Sequence, residues 1–253
     1  MRVISLTTDF GWKDYYVAEL KASLLKTSTD IQMVDVSHTI ESYDIVQAAF
    51  FVKAIYNRFP QDSIHVIGVY NHYAPKAEFV VLKMDGHFFI APNNGVLSLM
   101  FDNIREEDVI SIERDSKDII DHIAHGVGAL CHGLDLESLG SRPSRFQRKM
   151  GIQPVITGSQ IRATIIHIDH YHNVIINLSK ETFQKVRDGR SFSLFYKQTE
   201  PIQEISINYN DVHIGETLCL FNTSGYMEIA VNMGKASTMY NLNKDETIQI
   251  NFH

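Results

Sequence analysis

Along the first half of the chain the spacing of apolar residues switches repeatedly, from short continuous runs to the three-and-four spacing of amphipathic helices. Residues 3–6 predict a short buried strand, and 15–25 a helix with Val17, Leu20, Leu24 and Leu25 at helical spacing. Residues 31–36 predict a second strand, and 45–56 a helix with Ala48, Ala49, Val52 and Ile55 on one face, closed by Pro60. Strand-like runs follow at 64–70, 79–83 and 87–91. The last of them ends at Pro92-Asn93-Asn94-Gly95, a turn-forming tetrad, after which 96–101 starts a short helix. A strand at 109–112 and a helix at 119–130, with Ser116 as its N-cap, complete the series. Strands alternating with helices predict an α/β N-terminal domain, a mainly parallel sheet with flanking helices.

The pattern then breaks. Residues 140–160 carry three glycines, two of the six prolines and several basic residues without sustained periodicity, which places a domain boundary there, between 1–145 and 155–253. Beyond it, strand-like runs at 161–168, 174–178, 191–196, 202–207, 217–222, 226–231 and 247–252 surround a single helix near 180–187. They predict a smaller all-β C-terminal domain, a barrel or a sandwich.

Composition narrows the classes of function. A chain of 253 residues buries enough apolar surface to fold without staples, and Cys131 and Cys219 show neither CxxC nor Cys/His ligand spacing, as in reduced thiols of a cytoplasm. The net charge of −7, with no lysine or arginine block, gives phosphate-driven nucleic-acid binding no source and favours a small-molecule ligand. The opening MRVISLTTDF lacks a signal-peptide core, and no apolar stretch reaches membrane-spanning length, so a cytoplasmic protein is expected.

Three segments carry candidate chemistry. Thr7-Thr8-Asp9-Phe10-Gly11 lies where the first strand gives way to the first helix, the place where open α/β sheets contact ligands. There Asp9 either accepts hydrogen bonds from ribose hydroxyls or caps the helix; with one glycine the segment is not a phosphate loop. Asp169-His170-Tyr171-His172-Asn173 is either a hairpin tip or a recognition loop, and two histidines without a third nearby ligand make no metal site. Residues 222–230, Asn222 through Ser224 and Glu228 to Ala230, are a polar turn feeding an alternating strand, which a plain hairpin also explains.

Taken with Val34-Asp35-Val36-Ser37-His38, Arg58-Phe59-Pro60, Ile64-His65-Val66 and Ala91-Pro92-Asn93-Asn94-Gly95, these segments resemble the S-adenosylmethionine hydrolase family, the SAM hydroxide adenosyltransferases, whose relatives include fluorinases and chlorinases. The landmarks run in family order from Thr7 to Ala236. The resemblance implies a homotrimer that binds S-adenosylmethionine or adenosine between subunits, with no metal and no organic cofactor. It implies that Asp9, with Phe10 beside it, holds the ribose hydroxyls. Asp169 and Asn173 grip the methionine end with Tyr171 against the ligand, Ser224 touches the methionine group, and Val231 and Asn232 present backbone to the adenine edge.

The departures from the family pattern fall on the reacting positions. Where hydrolases of the family have Val-Asp-Pro-Gly-Val-Gly followed by an arginine, this chain reads Val69-Tyr70-Asn71-His72-Tyr73-Ala74 with Lys76 near the arginine position. Where they have Phe-His-Gly-Arg-Asp, it reads Arg114-Asp115-Ser116-Lys117-Asp118, so Asp115 replaces the histidine. Tyr70, Lys76 and Asp115 are therefore the candidate catalytic groups. Tyr70 is also what the halogenases carry there. The primary expectation is hydrolysis of S-adenosylmethionine to adenosine and methionine; the alternative is a weak or inactive member that binds adenosine or S-adenosylmethionine, or acts on another nucleoside. A halogenase and a purely structural protein are the remaining readings.

Overall fold

The structure, a computed structural model, describes residues 1–72, 78–198 and 200–253. It divides into two compact units, Met1–Gly151 and Ile152–His253.

The first unit is built on six strands: β1 (Arg2–Thr8), β2 (Ile31–Ser37), β3 (Ile64–Gly68), β4 (Phe79–Met84), β5 (His87–Pro92) and β6 (Val109–Ser111). They lie in the order β2-β1-β3-β5-β4-β6. The β2, β1, β3 and β5 pairings are parallel. Between β4 and β5 the chain has only Asp85 and Gly86, both at positive φ. That is the tight turn of a hairpin, so this pair is antiparallel, and β6 in turn is antiparallel to β4.

Four helices cover the sheet: α1 (Tyr16–Thr27), α2 (Ile45–Ile55), α3 (Val96–Met100) and α4 (Ile119–Cys131). Helices α1 and α4 bury Leu20, Leu24, Ile123 and Val127 against Ile4, Leu6, Val66 and Ile90. On the opposite face α2 and α3 bury Ala48, Val52, Val96 and Leu97 against Ile67, Val80, Leu82 and Phe89. Neighbouring strand residues such as Val66 and Ile67 serve opposite faces, and this two-sided burial is why β3 reads as one unbroken apolar run. The cap of α4 differs from the sequence expectation. Asp118 accepts the amide of Ile120 at 2.9 Å, while Ser116 accepts that of Asp118, because a cap must reach the second or third residue of the helix itself.

The second unit contains β7 (Val155–Ile156), β8 (Gln160–Ile168), β9 (Val174–Ser179), β10 (Phe192–Phe195), β11 (Thr217–Phe221), β12 (Tyr226–Val231) and β13 (Thr247–Phe252), with helices α5 (Lys180–Arg187) and α6 (Ala236–Met239). Its antiparallel sheet runs β10-β13-β8-β9-β12-β11, with β7 on β8. It curls around a core that includes Ile165, Ile176, Phe183, Phe192, Met227 and Ile250. Ser179 caps α5 by accepting the amide of Thr182 at 3.1 Å. The strand expected at 202–207 is not formed. Ile202 pairs antiparallel with Leu194 of β10, and Ile205 pairs parallel with Cys219 of β11. Partners of opposite direction within four residues leave room for a single bridge to each, so this segment links the two outer strands instead of extending either.

Candidate functional site

Strand β1 lies between β2, reached through α1, and β3, reached through α2. The chain therefore reverses its direction of strand addition at β1, and the crevice at the carboxyl ends of β1 and β3 is where such sheets accept ligands. Asp9, the first residue beyond β1, stands there. Its Oδ2 accepts the backbone amides of Tyr43 at 3.0 Å and Tyr70 at 3.2 Å. Both tyrosines are in the left-handed region, at φ 70° and 53°, and their rings meet edge to face at 5.5 Å. Asn94 holds the second turn from below, its Nδ2 donating to the carbonyls of Val69 and Tyr70 at 3.0 and 3.2 Å. The strain of two left-handed non-glycine residues is thus fixed by several bonds, a pattern concentrated at functional sites.

The helix-cap reading of Asp9 is corrected by this geometry. Helix α1 has Tyr15 at its N-cap with no side-chain hydrogen bond, and Asp9 spans two distant loops instead. Its other oxygen, Oδ1, has no hydrogen-bond partner among the described residues. Phe10 packs against the α1/α4 core and meets the edge of Tyr16 at 6.2 Å. Thr8 Oγ1 bonds Nδ1 of the fully buried His38 at 2.8 Å, and the exposed Trp12 ring lies edge-on to His38 at 4.7 Å. Trp12 and Tyr43 are 60% and 69% exposed.

Of the catalytic candidates, the structure brings Tyr70 to Asp9. Asp115 is exposed, in the segment between β6 and α4. Among the described residues no hydrogen bond or ion pair joins it to Asp9 or Tyr70. Lys76 lies outside the described residues.

In the second unit Asp169 and Asn173 close a hairpin tip between β8 and β9. Asp169 Oδ1 accepts the amide of Asn173 at 2.8 Å, Oδ2 accepts its Nδ2 at 3.1 Å, and the Asp169 amide donates to the Asn173 carbonyl at 3.0 Å. Asn173 is buried and Tyr171 is 72% exposed, its ring presented outward. His172, at φ 65°, places Nδ1 3.1 Å from Ser237 Oγ. Among the described residues no three His, Cys, Asp or Glu side chains are grouped to hold a metal ion.

Ser224 sits in the β11–β12 turn, where Asn222 Oδ1 accepts the amides of Ser224 and Tyr226. This turn flanks one end of the β9–β12 ladder and the 169–173 tip the other, the ladder itself spanning about 10 Å from Tyr226 to Ile229 at roughly 3.4 Å per residue. Val231 and Asn232 lie at the tip's end. The Asn232 amide donates to Glu216 at 3.0 Å and its carbonyl accepts Gly215 at 2.8 Å, so both backbone groups are engaged within the unit.

Sequence reasoning passed over Glu228. It is 3% exposed and accepts Tyr209 Oη at 2.7 Å and Asn222 Nδ2 at 3.3 Å. Burial pushes its carboxyl above the ordinary carboxylate range despite these bonds, and the charge of Asp169 pushes the same way. Burial likewise raises the Tyr209 hydroxyl, with Glu228 adding to the effect. A lone acidic residue in the apolar run of β12 was the available signal.

Comparisons with known proteins cover both units. The model of the SAM hydroxide adenosyltransferase N-terminal domain matches residues 4–136, and that of the C-terminal domain matches residues 163–249. An (R)-S-adenosyl-L-methionine hydrolase of Methanocaldococcus jannaschii is 24% identical over 98% of this chain and 95% of its own length. A fluorinase of Nocardia brasiliensis is 22% identical over 98% of this chain and 96% of its own. The crystal structure of an uncharacterized conserved protein from Thermotoga maritima superimposes with a TM-score of 0.82 at 24% identity, covering 99% of this chain and 100% of that one.

Proposed function

The chain belongs to the SAM hydroxide adenosyltransferase family, and from that premise we propose that it hydrolyses S-adenosyl-L-methionine to adenosine and L-methionine. The observation that carries the proposal is Asp9. Its carboxylate is fixed at the switch point by two backbone amides, with Oδ1 turned to no protein donor. That is an acceptor prepared for the hydroxyls of a ribose. Relatives of near-equal length named as hydrolases support the reaction itself.

The chemistry asks little of the protein. A water oxygen forms a bond to the ribose 5′ carbon, and the bond from that carbon to sulfur breaks. The electron pair goes to sulfur, giving the neutral thioether of methionine, and the water loses a proton to solvent. Because a sulfonium leaves readily, the protein's share is to hold the ribose, align the water and exclude competing solvent. In this reading Asp9 and Phe10 hold the ribose, and Tyr70, pinned to Asp9, borders the attack. Asp169, Asn173, Tyr171 and Ser224 take the methionine end. The backbone of Val231 and Asn232 meets adenine only if its present bonds are shared. Assembly as a homotrimer belongs to the same proposal, as does a cytoplasmic site of action; no helix among the described residues is long and apolar enough to cross a membrane.

A second reading, binding without turnover, is motivated by the changed residues at the reacting positions, Tyr70, Lys76 and Asp115. Incubating the protein with S-adenosylmethionine and separating the products decides between them. Adenosine and methionine in equal amounts are expected. Binding heat without adenosine would establish the second reading, and a halogenated nucleoside formed with added chloride or fluoride would indicate a halogenase.

A further inference from the structure

Glu228 lies in β12 between Met227 and Ile229, which face the core, so its own side chain stands on the opposite face of the sheet with Ala230, under Tyr209 and Val212. There it is buried, and among the described residues no cation pairs with it. Burying a carboxylate without a cation is costly, and what distinguishes it from a neutral side chain of that shape is a pair of acceptors on one rigid group. Both are used. Oε1 accepts Tyr209 Oη at 2.7 Å and Oε2 accepts Asn222 Nδ2 at 3.3 Å. The second bond reaches the β11–β12 turn. Asn222 Oδ1 accepts the amides of Ser224 and Tyr226 at 3.0 and 3.2 Å, and its backbone carbonyl accepts that of Gly225 at 2.9 Å. The Asn222 side chain can do this only one way round, because a flip would aim its NH2 at two N–H donors and its oxygen at a carboxylate.

We propose that Glu228 is a positioning residue: by holding Asn222 Nδ2 it locks the amide that shapes the Ser224 turn, and through that turn it sets the grip on the methionine end of the substrate. The proposal rests on the reading of Ser224 given above and deepens it. Glu228 touches no reacting atom, so its effect falls on binding of the amino-acid end and not on the displacement at carbon.

The test exchanges donor and acceptor between the two side chains. Asn222→Asp keeps an oxygen for the amides of Ser224 and Tyr226 but turns a second carboxylate oxygen on Glu228, and the two repel. Adding Glu228→Gln restores the bond with its direction reversed: the glutamine NH2 donates to the new carboxylate while its oxygen still accepts Tyr209 Oη. Affinity is read by calorimetry at pH 8 with S-adenosylhomocysteine, whose neutral thioether leaves too poorly for turnover, and with adenosine, which lacks the amino-acid end. Steady-state hydrolysis of S-adenosylmethionine gives KM and kcat. Asn222→Asp should weaken S-adenosylhomocysteine binding about tenfold and raise KM by a similar factor, with adenosine affinity and kcat unchanged; the double variant should return to within about twofold of wild type. Wild-type affinity in Asn222→Asp overturns the proposal. So does a double variant as weak as the single one, or an equal loss for both ligands, which marks a general loss of structure. If Asn222→Asp does not fold, the double variant decides alone, by binding S-adenosylhomocysteine as wild type does or failing to. A wild type that forms no adenosine overturns hydrolysis and leaves the binding cycle to decide this proposal, whereas a wild type that binds the two ligands equally removes the methionine-end reading and this proposal with it.

Discussion

Replacing Asp9 by asparagine separates the two jobs its carboxylate performs. Oδ2 is occupied by the amides of Tyr43 and Tyr70, and an asparagine carbonyl can accept both in the same place. The two left-handed turns should survive, and the melting temperature should change little. What changes is Oδ1, which becomes an amide NH2 and presents hydrogens to the ribose hydroxyls in place of a charged acceptor. With Oδ2 largely engaged, the ligand depends chiefly on Oδ1, so about one charge-assisted bond is lost, worth roughly 1.5–3 kcal/mol. At about 1.4 kcal/mol per tenfold, adenosine affinity should fall by roughly one to two orders of magnitude. Calorimetry with adenosine and with 2′,3′-dideoxyadenosine reads the difference directly, because the dideoxy compound lacks the 2′ and 3′ hydroxyls and should bind both proteins alike. Equal affinity of the two proteins for adenosine would refute the ribose assignment, and equal losses for both ligands would show that the loops had moved.

Three further outcomes follow from the structure. His65 is buried between Ser5 and His87, and burial, reinforced by His87, lowers its pKa from 6.5 to about 3; stability should therefore fall as the pH drops below 6.5, by about 1.4 kcal/mol per unit, or about 2 kcal/mol by pH 5. Urea titrations of wild type and His65→Gln at pH 5 and 7 check this, and parallel losses in the two proteins would refute it. Glu228 has a raised pKa, so the stability of its protonated form is lost as the pH rises through the folded value; Glu228→Gln should be more stable than wild type at pH 7.5, with the gain shrinking below pH 4.5 in thermal melts. Light scattering at micromolar concentration should give three times the chain mass, and a monomer would remove the trimer from the proposed function.

Much of the fold was legible because its residues bury surface in a regular rhythm. The predicted helix at 180–187 and the strands at 226–231 and 247–252 appear with those bounds. The 202–207 segment misled because Ile202, Ile205 and Ile207 mimic a half-buried strand, whereas Ile207 is exposed and the neighbours that decide its state come from two different strands. The site was legible in part. Asp9 was singled out from its place after the first strand, but its local sequence fits a helix cap equally well. The partners that rule out the cap are 34 and 61 residues away. Glu228 was missed for a related reason, since its cover is Tyr209, 19 residues upstream in a segment without periodicity.

The 202–206 segment also governs how this unit can meet other chains. Strands β10 and β11 end the curled sheet, and a terminal strand ordinarily offers a row of free amides and carbonyls to any passing extended chain. Here the amide and carbonyl of Leu194 are both bonded to Ile202, and the carbonyl of Cys219 takes the amide of Ser206. A guest strand must first displace its own chain's strap, which it meets at effectively higher concentration than any intermolecular competitor. Backbone pairing is thereby opposed at one position on each margin of this curled sheet, which turns association at those positions toward side-chain surfaces, and these can be specific where the backbone pairs with anything.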